Sequence, residues 1–157
     1  MIRSIVAGGI AGAAGEMILN IISYGDMFVR GRPASRMPGK VATKLADLGG
    51  LELAKPGERA EKLEARQESA GALMGYAVAI ATGAGYAVVR RLGLRLPLPL
   101  AGLAIGGAAM AFSDSVATAL GATDPTSWGA SGWALDIIPH AAYGMTTAAT
   151  LEMFDPL

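Results

Sequence analysis

The sequence predicts an all-α integral membrane protein, a bundle of four transmembrane helices with a partly helical first connecting segment. Two observations carry this prediction. Hydrophobic residues make up 52% of the 157 residues and charged residues only 17%, a charged share below that of an ordinary soluble domain. Nine of the 13 Lys and Arg residues lie between Arg30 and Arg66, which leaves the rest of the chain strongly apolar. We treat residues 1–157 as one membrane domain.

Four apolar segments alternate with polar ones. A helix of about 20 residues crosses a hydrocarbon core of about 30 Å. Pro97 and Gly121 mark the start and end of the third segment, and Ser131 can cap the fourth. The Asp124-Pro125 pair predicts a short helical turn between them. The predicted transmembrane helices are residues 5–24, 70–89, 98–120 and 133–154.

Two alternatives concern the apolar segments. A soluble, Ala-rich helical bundle would need more polar surface than four such segments leave. The first segment could also be a cleaved signal peptide. Because Arg3 is its only early basic residue and Glu16 interrupts its apolar run, we expect it to be a retained helix.

The polar connection, residues 25–68, has three predicted parts. Met27 to Pro38 is basic and contains two prolines, so we expect it to be extended. Residues 41–48 have apolar positions at helical spacing and predict a short amphipathic helix. A charged helix is then expected to start at Pro56, pass through Glu68 and continue into the second transmembrane helix.

The basic residues of this connection have two interpretations. Arg30, Arg32 and Arg36 can contact anionic lipid headgroups, or they can be an ordinary positive flank of a membrane helix. With four crossings, nine Lys and Arg residues lie on one side and four on the other, so the positive-inside rule favours both termini outside. Three arginines in the short second connection argue for the reverse.

Small residues predict close helix packing. Glycines four residues apart share one helical face and let membrane helices approach closely, so they indicate a tight bundle, an oligomer face or both. A shift of 98 residues also aligns a glycine pair and an acid, Glu16 with Asp114, which is either an internal duplication or chance. The glycine pairs are Gly8 and Gly12, Gly71 and Gly75, and Gly102 and Gly106.

Ionisable residues inside the apolar segments predict a site. A charge near the bilayer centre costs roughly 2.5–3.5 kcal/mol, so such groups usually face a protein interior. One hypothesis is a single proton-relay or binding cluster; the other is separate polar groups that only fix helix register. The candidate residues are Glu16, Asn20, Asp114, Asp136, His140 and Tyr143.

Several kinds of site are disfavoured. The chain has no Cys and one His, so thiolate chemistry is excluded and a metal site is not expected. No nucleophile elbow or phosphate loop is present, and no cofactor is predicted. A formal net charge of zero gives no reason to expect nucleic acid as a partner.

Two runs of residues carry a resemblance. The first is Asn20-x3-Tyr24-x-Asp26-Met27 followed by Arg30-Gly31-Arg32-Pro33, and the second is Asp124-Pro125, Trp128, Trp133, Asp136 and Pro139-His140-x2-Tyr143-Gly144. The first resembles the start, and the second the last helix, of small uncharacterised integral membrane proteins of high-GC bacteria. The resemblance implies a multi-pass protein of the bacterial cytoplasmic membrane. It implies no activity, cofactor or substrate.

Three function classes follow from these features. The first is a small transporter or channel that uses the buried acids and His140 for proton- or cation-linked transport. The second is an accessory or assembly subunit of a larger membrane complex. The third is an enzyme on a lipidic substrate with Asp136 and His140 as acid and base. Membrane lipids and a homo-oligomer or larger complex are the expected partners.

Overall fold

The computed structural model describes residues 1–53, 55 and 57–155, and the regular structure in this part of the chain is all helical. A 3-10 turn, Pro125–Ser127, precedes the last helix. The five α-helices are α1 Ile2–Arg30, α2 Met37–Leu48, α3 Ala60–Arg91, α4 Leu98–Ala119 and α5 Gly129–Phe154.

The four long helices form an antiparallel bundle. Helix α1 packs against both α3 and α5, and α5 packs in turn against α4, whereas α3 and α4 make few contacts with each other. We call the end that holds the starts of α1 and α4 and the ends of α3 and α5 the terminal end. The opposite end, which carries the short helix α2, is the α2 end.

Glycine allows the helices to approach closely. A Cβ atom on Gly8 would lie 2.5 Å from the carbonyl oxygen of Gly83, and one on Gly12 would overlap the carbonyl of Ala79. On the other side of the bundle, a Cβ on Gly144 would overlap the backbone of α4 at Gly102. These glycines therefore lie at contacts within the chain, where any side chain would push two backbones apart.

A polar contact joins three helices at the terminal end. The Arg91 guanidinium donates a hydrogen bond of 2.8 Å to the Ser4 hydroxyl and one of 2.5 Å to the Asp155 carboxylate. Ser4 and Asp155 are buried. The start of α1, the end of α3 and the residue after α5 are thus held together by one side chain, a contact that the sequence pattern did not predict.

Helix α2 lies against the start of α3. Gly39 meets the backbone at Gln67, and the Gln67 amide donates a 3.0 Å hydrogen bond to the Thr43 hydroxyl. Lys44 reaches the other side and donates to the carbonyl of Leu120, the residue after α4. Helix α2 therefore bridges α3 and α4 at the end of the bundle where these helices separate.

The structure corrects the predicted number of membrane helices. Of the helices in the described residues, three are long and apolar enough to cross a membrane: α1, α3 and α4. The fourth predicted segment, 133–154, lies in α5, which has 26 residues. Its length suffices, but Asp136, His140 and several threonines lower its mean hydropathy.

The predicted boundaries are partly confirmed. The charged segment does continue without a break into the second apolar segment as α3, but this helix begins at Ala60 and not at the expected start, Pro56, which itself lies outside the described residues. The turn at Asp124-Pro125 is present, with the Asp124 carboxylate accepting from the Thr126 amide at 3.0 Å. The short amphipathic helix is also confirmed as α2, and it is longer than expected.

Two boundary predictions are wrong. Residues 27–30 are not extended, because α1 continues to Arg30 and ends at Gly31 in the left-handed conformation, with φ 62°. Arg30 is paired with Asp26 one turn earlier at 2.8 Å, a spacing that favours continued helix. Ser131 does not cap the last helix, because α5 begins at Gly129, directly after the 3-10 turn.

Candidate binding cavity

Glu16 lies near the middle of α1 and faces the inside of the bundle. The residue is only 8% exposed. Its Oε1 atom accepts a hydrogen bond of 3.3 Å from Asn20 one turn later. The same oxygen would lie 2.9 Å from a Cβ on Gly75, so the missing side chain on α3 leaves room for the carboxylate. Glycine at position 75 is therefore part of how the fold accommodates this acid.

The inward face of α5 supplies the next polar groups. His140 Nδ1 lies 3.2 Å from the Asp136 carboxylate and 2.9 Å from the Asp136 carbonyl oxygen, an arrangement that follows from their spacing of one helical turn. One turn further on, the Tyr143 hydroxyl donates a 2.8 Å hydrogen bond to the carbonyl of Ala79 on α3. Tyr143 is only 1% exposed.

Asp114 joins this group from α4. Its carboxyl group is a neighbour of the Asp136 carboxyl group on α5, and the two can share a hydrogen bond when one of them is protonated. In the described part of the chain, Asp114 Oδ1 and Asp136 Oδ2 are buried without a hydrogen-bond partner. Buried polar atoms rarely stay unpaired, and one proton held between the two carboxyls would partner both.

A cavity of about 530 Å³ lies between α3 and α4, where these helices make few contacts. Parts of α1 and α5 form its inner wall, and α2 contributes apolar side chains on the outer side. Glu16, Asn20, His140 and Tyr143 are among its lining residues. Asp114 and Asp136 do not line it; Asp136 contacts the cavity residue His140 instead. The volume is within the range of small-molecule sites.

The cavity reaches the α2 end and stops near the middle of the bundle. Its lining includes Tyr24 and Ser35 at the α2 end, both of which are exposed. In the other direction it ends at Tyr143 and Ala79, which are hydrogen-bonded to each other. Beyond them, Ala11 and Leu151 are fully buried. The cavity therefore does not reach the terminal end, although Ala72 and Phe112, two exposed lining residues, also border it on the side between α3 and α4.

Some lining residues were not anticipated from the sequence. Ser23, Ser113 and the exposed acid Glu68 also line the cavity. Gly75 was singled out for packing but lies against the Glu16 carboxylate. The signal for Ser113 was its position next to Asp114; Glu68 gave none, because an acid in a charged helix start normally faces solvent.

The predicted headgroup arginines are engaged with acids. Arg30 and Arg32 both pair with Asp26, at 2.8 and 2.5 Å. Arg36 lies 3.8 Å from Glu64, with both side chains exposed. Arg30 and Arg36 remain largely exposed, so a headgroup could approach these two from outside. Lipid contact stays a prediction for all three.

Charged pairs outside the apolar segments shift the pKa of their acids. The Arg66 guanidinium, hydrogen-bonded at 2.7 Å, lowers the pKa of Glu58. The Arg91 hydrogen bond lowers the pKa of Asp155 in the same way. Both acids are therefore ionised at neutral pH. Glu58 pairs with Arg66 at the α2 end, and Asp155 pairs with Arg91 at the terminal end.

The described residues contain no group of three or more His, Asp or Glu side chains able to hold a metal ion. The side chains that line the cavity offer carboxyl, imidazole, phenol, amide and hydroxyl groups, which support hydrogen bonding, proton transfer and attraction of positive charge.

Comparison with known proteins gives no relative: no protein-family model, no curated protein and no solved structure matches the chain.

Proposed function

We propose that this chain is an integral membrane protein in which α1, α3, α4 and also α5 cross the bilayer. The outward side chains of α1 support insertion: Val6, Ile10, Met17 and Ile21 are all more than half exposed. The other long helices also expose large apolar side chains. A monomeric soluble protein rarely leaves so continuous an apolar surface in water, whereas lipid would cover it.

The direction of its side chains supports α5 as a fourth membrane helix. Its mean hydropathy is reduced by Asp136, His140 and Thr147, which face other helices. Its outward side chains include Ile137 and Ile138, which are 47% and 58% exposed. Average composition counts inward and outward residues alike, but only the outward ones meet lipid. The bacterial cytoplasmic membrane, implied by the sequence resemblance, stays a prediction.

We infer that the protein is a small proton-linked transporter. The observation that carries this proposal is the cavity, which is accessible from the α2 end and ends beside Glu16 and His140 midway through the bundle. An open channel would need a continuous path, and Tyr143 closes this one. A cavity that is open at the α2 end, closed towards the terminal end and lined by ionisable groups fits one of the two states that alternating access requires.

The neighbouring acids support proton exchange. Asp114 and Asp136 can hold a proton between them, and His140 connects Asp136 to the cavity. Glu16 faces the same cavity from α1. A solute that interacts with these groups would displace protons from them, and protonation would favour solute release, which couples the two fluxes.

Reconstitution tests this function. Purified protein is placed in vesicles that contain a pH-sensitive dye, and metal cations, organic cations, organic anions and neutral solutes are added in turn. At least one class should drive proton movement in wild type. Glu16→Gln should remove it, because the amide cannot exchange a proton, yet the neutral side chain should not impair insertion. The control is Glu61→Gln, which changes an exposed acid at the start of α3.

Two results would argue against transport. Glu16→Gln vesicles that behave like wild type would leave Glu16 with a structural role only. Copurification of the native protein with a partner in fixed ratio, together with no solute-driven proton movement, would favour the accessory-subunit hypothesis. Any such partner would have to use faces other than those of Gly8, Gly12, Gly102 and Gly106, which contact helices of the same chain.

A further inference from the structure

Apart from His140, the charged side chains of the described cavity lining are acidic. Glu16 and Glu68 are acidic, and the described lining residues include neither lysine nor arginine. This is notable because nine of the 13 Lys and Arg residues belong to the connection at this end of the bundle. Lys40 and Lys44 are exposed, and the α2 side chains that enter the cavity are instead apolar: Met37, Pro38, Val41 and Leu45.

Within the described part of the chain, Glu16 is a buried acid with no lysine or arginine partner, and its one cationic neighbour is the His140 imidazole, which carries a charge only when it is protonated. Among the residues that the structure describes, no Lys or Arg lies within salt-bridge distance of it, although Asp26, Glu58 and Asp155 each have such a partner. Its hydrogen bond from Asn20 is long, at 3.3 Å. A buried carboxylate in apolar surroundings is costly unless a positive charge compensates it.

The remaining lining is apolar and aromatic. Most of the residues that surround the cavity are hydrophobic, from α1, α2, α3 and α4 alike. Tyr24, Phe112 and Tyr143 lie at its outer, lateral and inner parts, respectively. Aromatic faces attract cations that have lost their water. An occupant that combines apolar surface with one positive charge therefore matches both properties of the lining.

We propose that the cavity binds amphiphilic organic cations, with the positive charge beside Glu16 and the apolar body between α3 and α4. This assignment rests on the proposed transport function and names its substrate class. Amphiphilic organic anions are disfavoured because the carboxylates of Glu16 and Glu68 would repel their negative charge. A bare divalent ion is disfavoured because the described residues form no three-ligand cluster, and a metal ion needs more donors than one carboxylate.

Two probes of equal shape and opposite charge test the assignment. Tetraphenylphosphonium and tetraphenylborate each carry four phenyl groups around one charged atom. Binding of each to the purified protein in a neutral detergent is measured by calorimetry, with protein-free detergent as the blank. The phosphonium should bind saturably and the borate should not. Equal or tighter binding of the borate would overturn the proposal.

Variants then locate the site. Glu16→Gln should weaken phosphonium binding about tenfold or more, a change of about 1.4 kcal/mol or more, while Glu16→Asp should keep part of the affinity and Glu61→Gln should have no effect. Unchanged affinity in Glu16→Gln would contradict the proposal. If that variant does not fold, the exposed lining residue Ala72 serves instead. Ala72→Lys should weaken phosphonium binding and Ala72→Glu should strengthen it. The opposite order would also contradict the proposal.

The same experiments separate this inference from the transport function. Phosphonium binding without solute-driven proton movement would keep the substrate assignment and remove transport. Proton movement driven by another solute class, with no phosphonium binding in detergent, would keep transport and remove the assignment.

Discussion

The two ends of the bundle are built differently although the same four helices form both. Towards the terminal end, glycines and alanines bring α1 against α3 and α5, and Arg91 joins three helices. At the α2 end, α3 and α4 separate around a cavity, and a short amphipathic helix bridges them. The comparison shows that the helices pack closely where small residues face each other, and that the cavity lies where the helices are further apart.

The largest expected effect is on the close contact between α1 and α3. Gly12→Ala would force a methyl group into the Ala79 carbonyl and should reduce the free energy of unfolding by about 1–3 kcal/mol, the usual cost of overpacking. The control is Gly25→Ala, in the same helix at the α2 end, where a Cβ has open space. Denaturant titration in detergent measures both. Equal destabilisation would contradict the difference between the ends.

Cysteine labelling compares water access directly, since the chain has no native Cys. Ser23→Cys lies in the cavity lining, and Ser4→Cys lies at the terminal end, where Ser4 is 1% exposed. A small polar maleimide should modify position 23 faster by about tenfold or more, because position 4 becomes accessible only through local opening. Similar rates at the two positions would mean that the terminal end is also open to water.

Acid pH should loosen the terminal end. Because Arg91 lowers the pKa of Asp155 in the folded protein, this contact stabilises fully above the ordinary value of about 3.8 and is lost as pH falls through the lower folded value. Asp155→Asn should therefore be less stable than wild type at neutral pH, with the difference shrinking below about pH 4.

The control for this pH dependence is at the other end. The pKa of Asp124 is also lowered, by its hydrogen bonds to Thr126, but this contact is local and Asn caps a helix equally well. Asp124→Asn should lose less stability than Asp155→Asn in the same thermal scans at each pH. A larger loss at position 124 would show that the Arg91 contact contributes little.

The smallest expected effect is at α2. Lys44→Met removes the hydrogen bond to the Leu120 carbonyl and should cost about 0.5–1.5 kcal/mol at most. Its consequence should be local: faster labelling of Ser23→Cys, with little change in global unfolding. Lys40→Met, which changes an exposed lysine one turn earlier, is the matched control. Equal labelling in the two backgrounds would mean that Lys44 does not hold α2 over the cavity.

Much of the helical structure was predictable because it depends on local pattern. Apolar runs, prolines and charged starts gave the long helices, the continuous α3 and the turn at Asp124. The errors are also local in origin: the Arg30–Asp26 pair extends α1 further than the prolines suggested. The predicted count of four differs from the three described helices that are long and apolar enough to cross a membrane, because inward polar side chains such as Asp136 and His140 lower the mean hydropathy of α5.

The sequence by itself determined that Glu16, Asp114, Asp136 and His140 lie in apolar helices, since each of them stands within an apolar run of about 20 residues. Only the tertiary structure decided that Glu16 and His140 line one cavity, whereas Asp114 and Asp136 lie next to it without lining it. That outcome depends on how closely helices pack, which is set by glycines meeting backbone atoms far away in sequence. Local periodicity fixes the face of a residue, and the distance to the opposite helix fixes its environment.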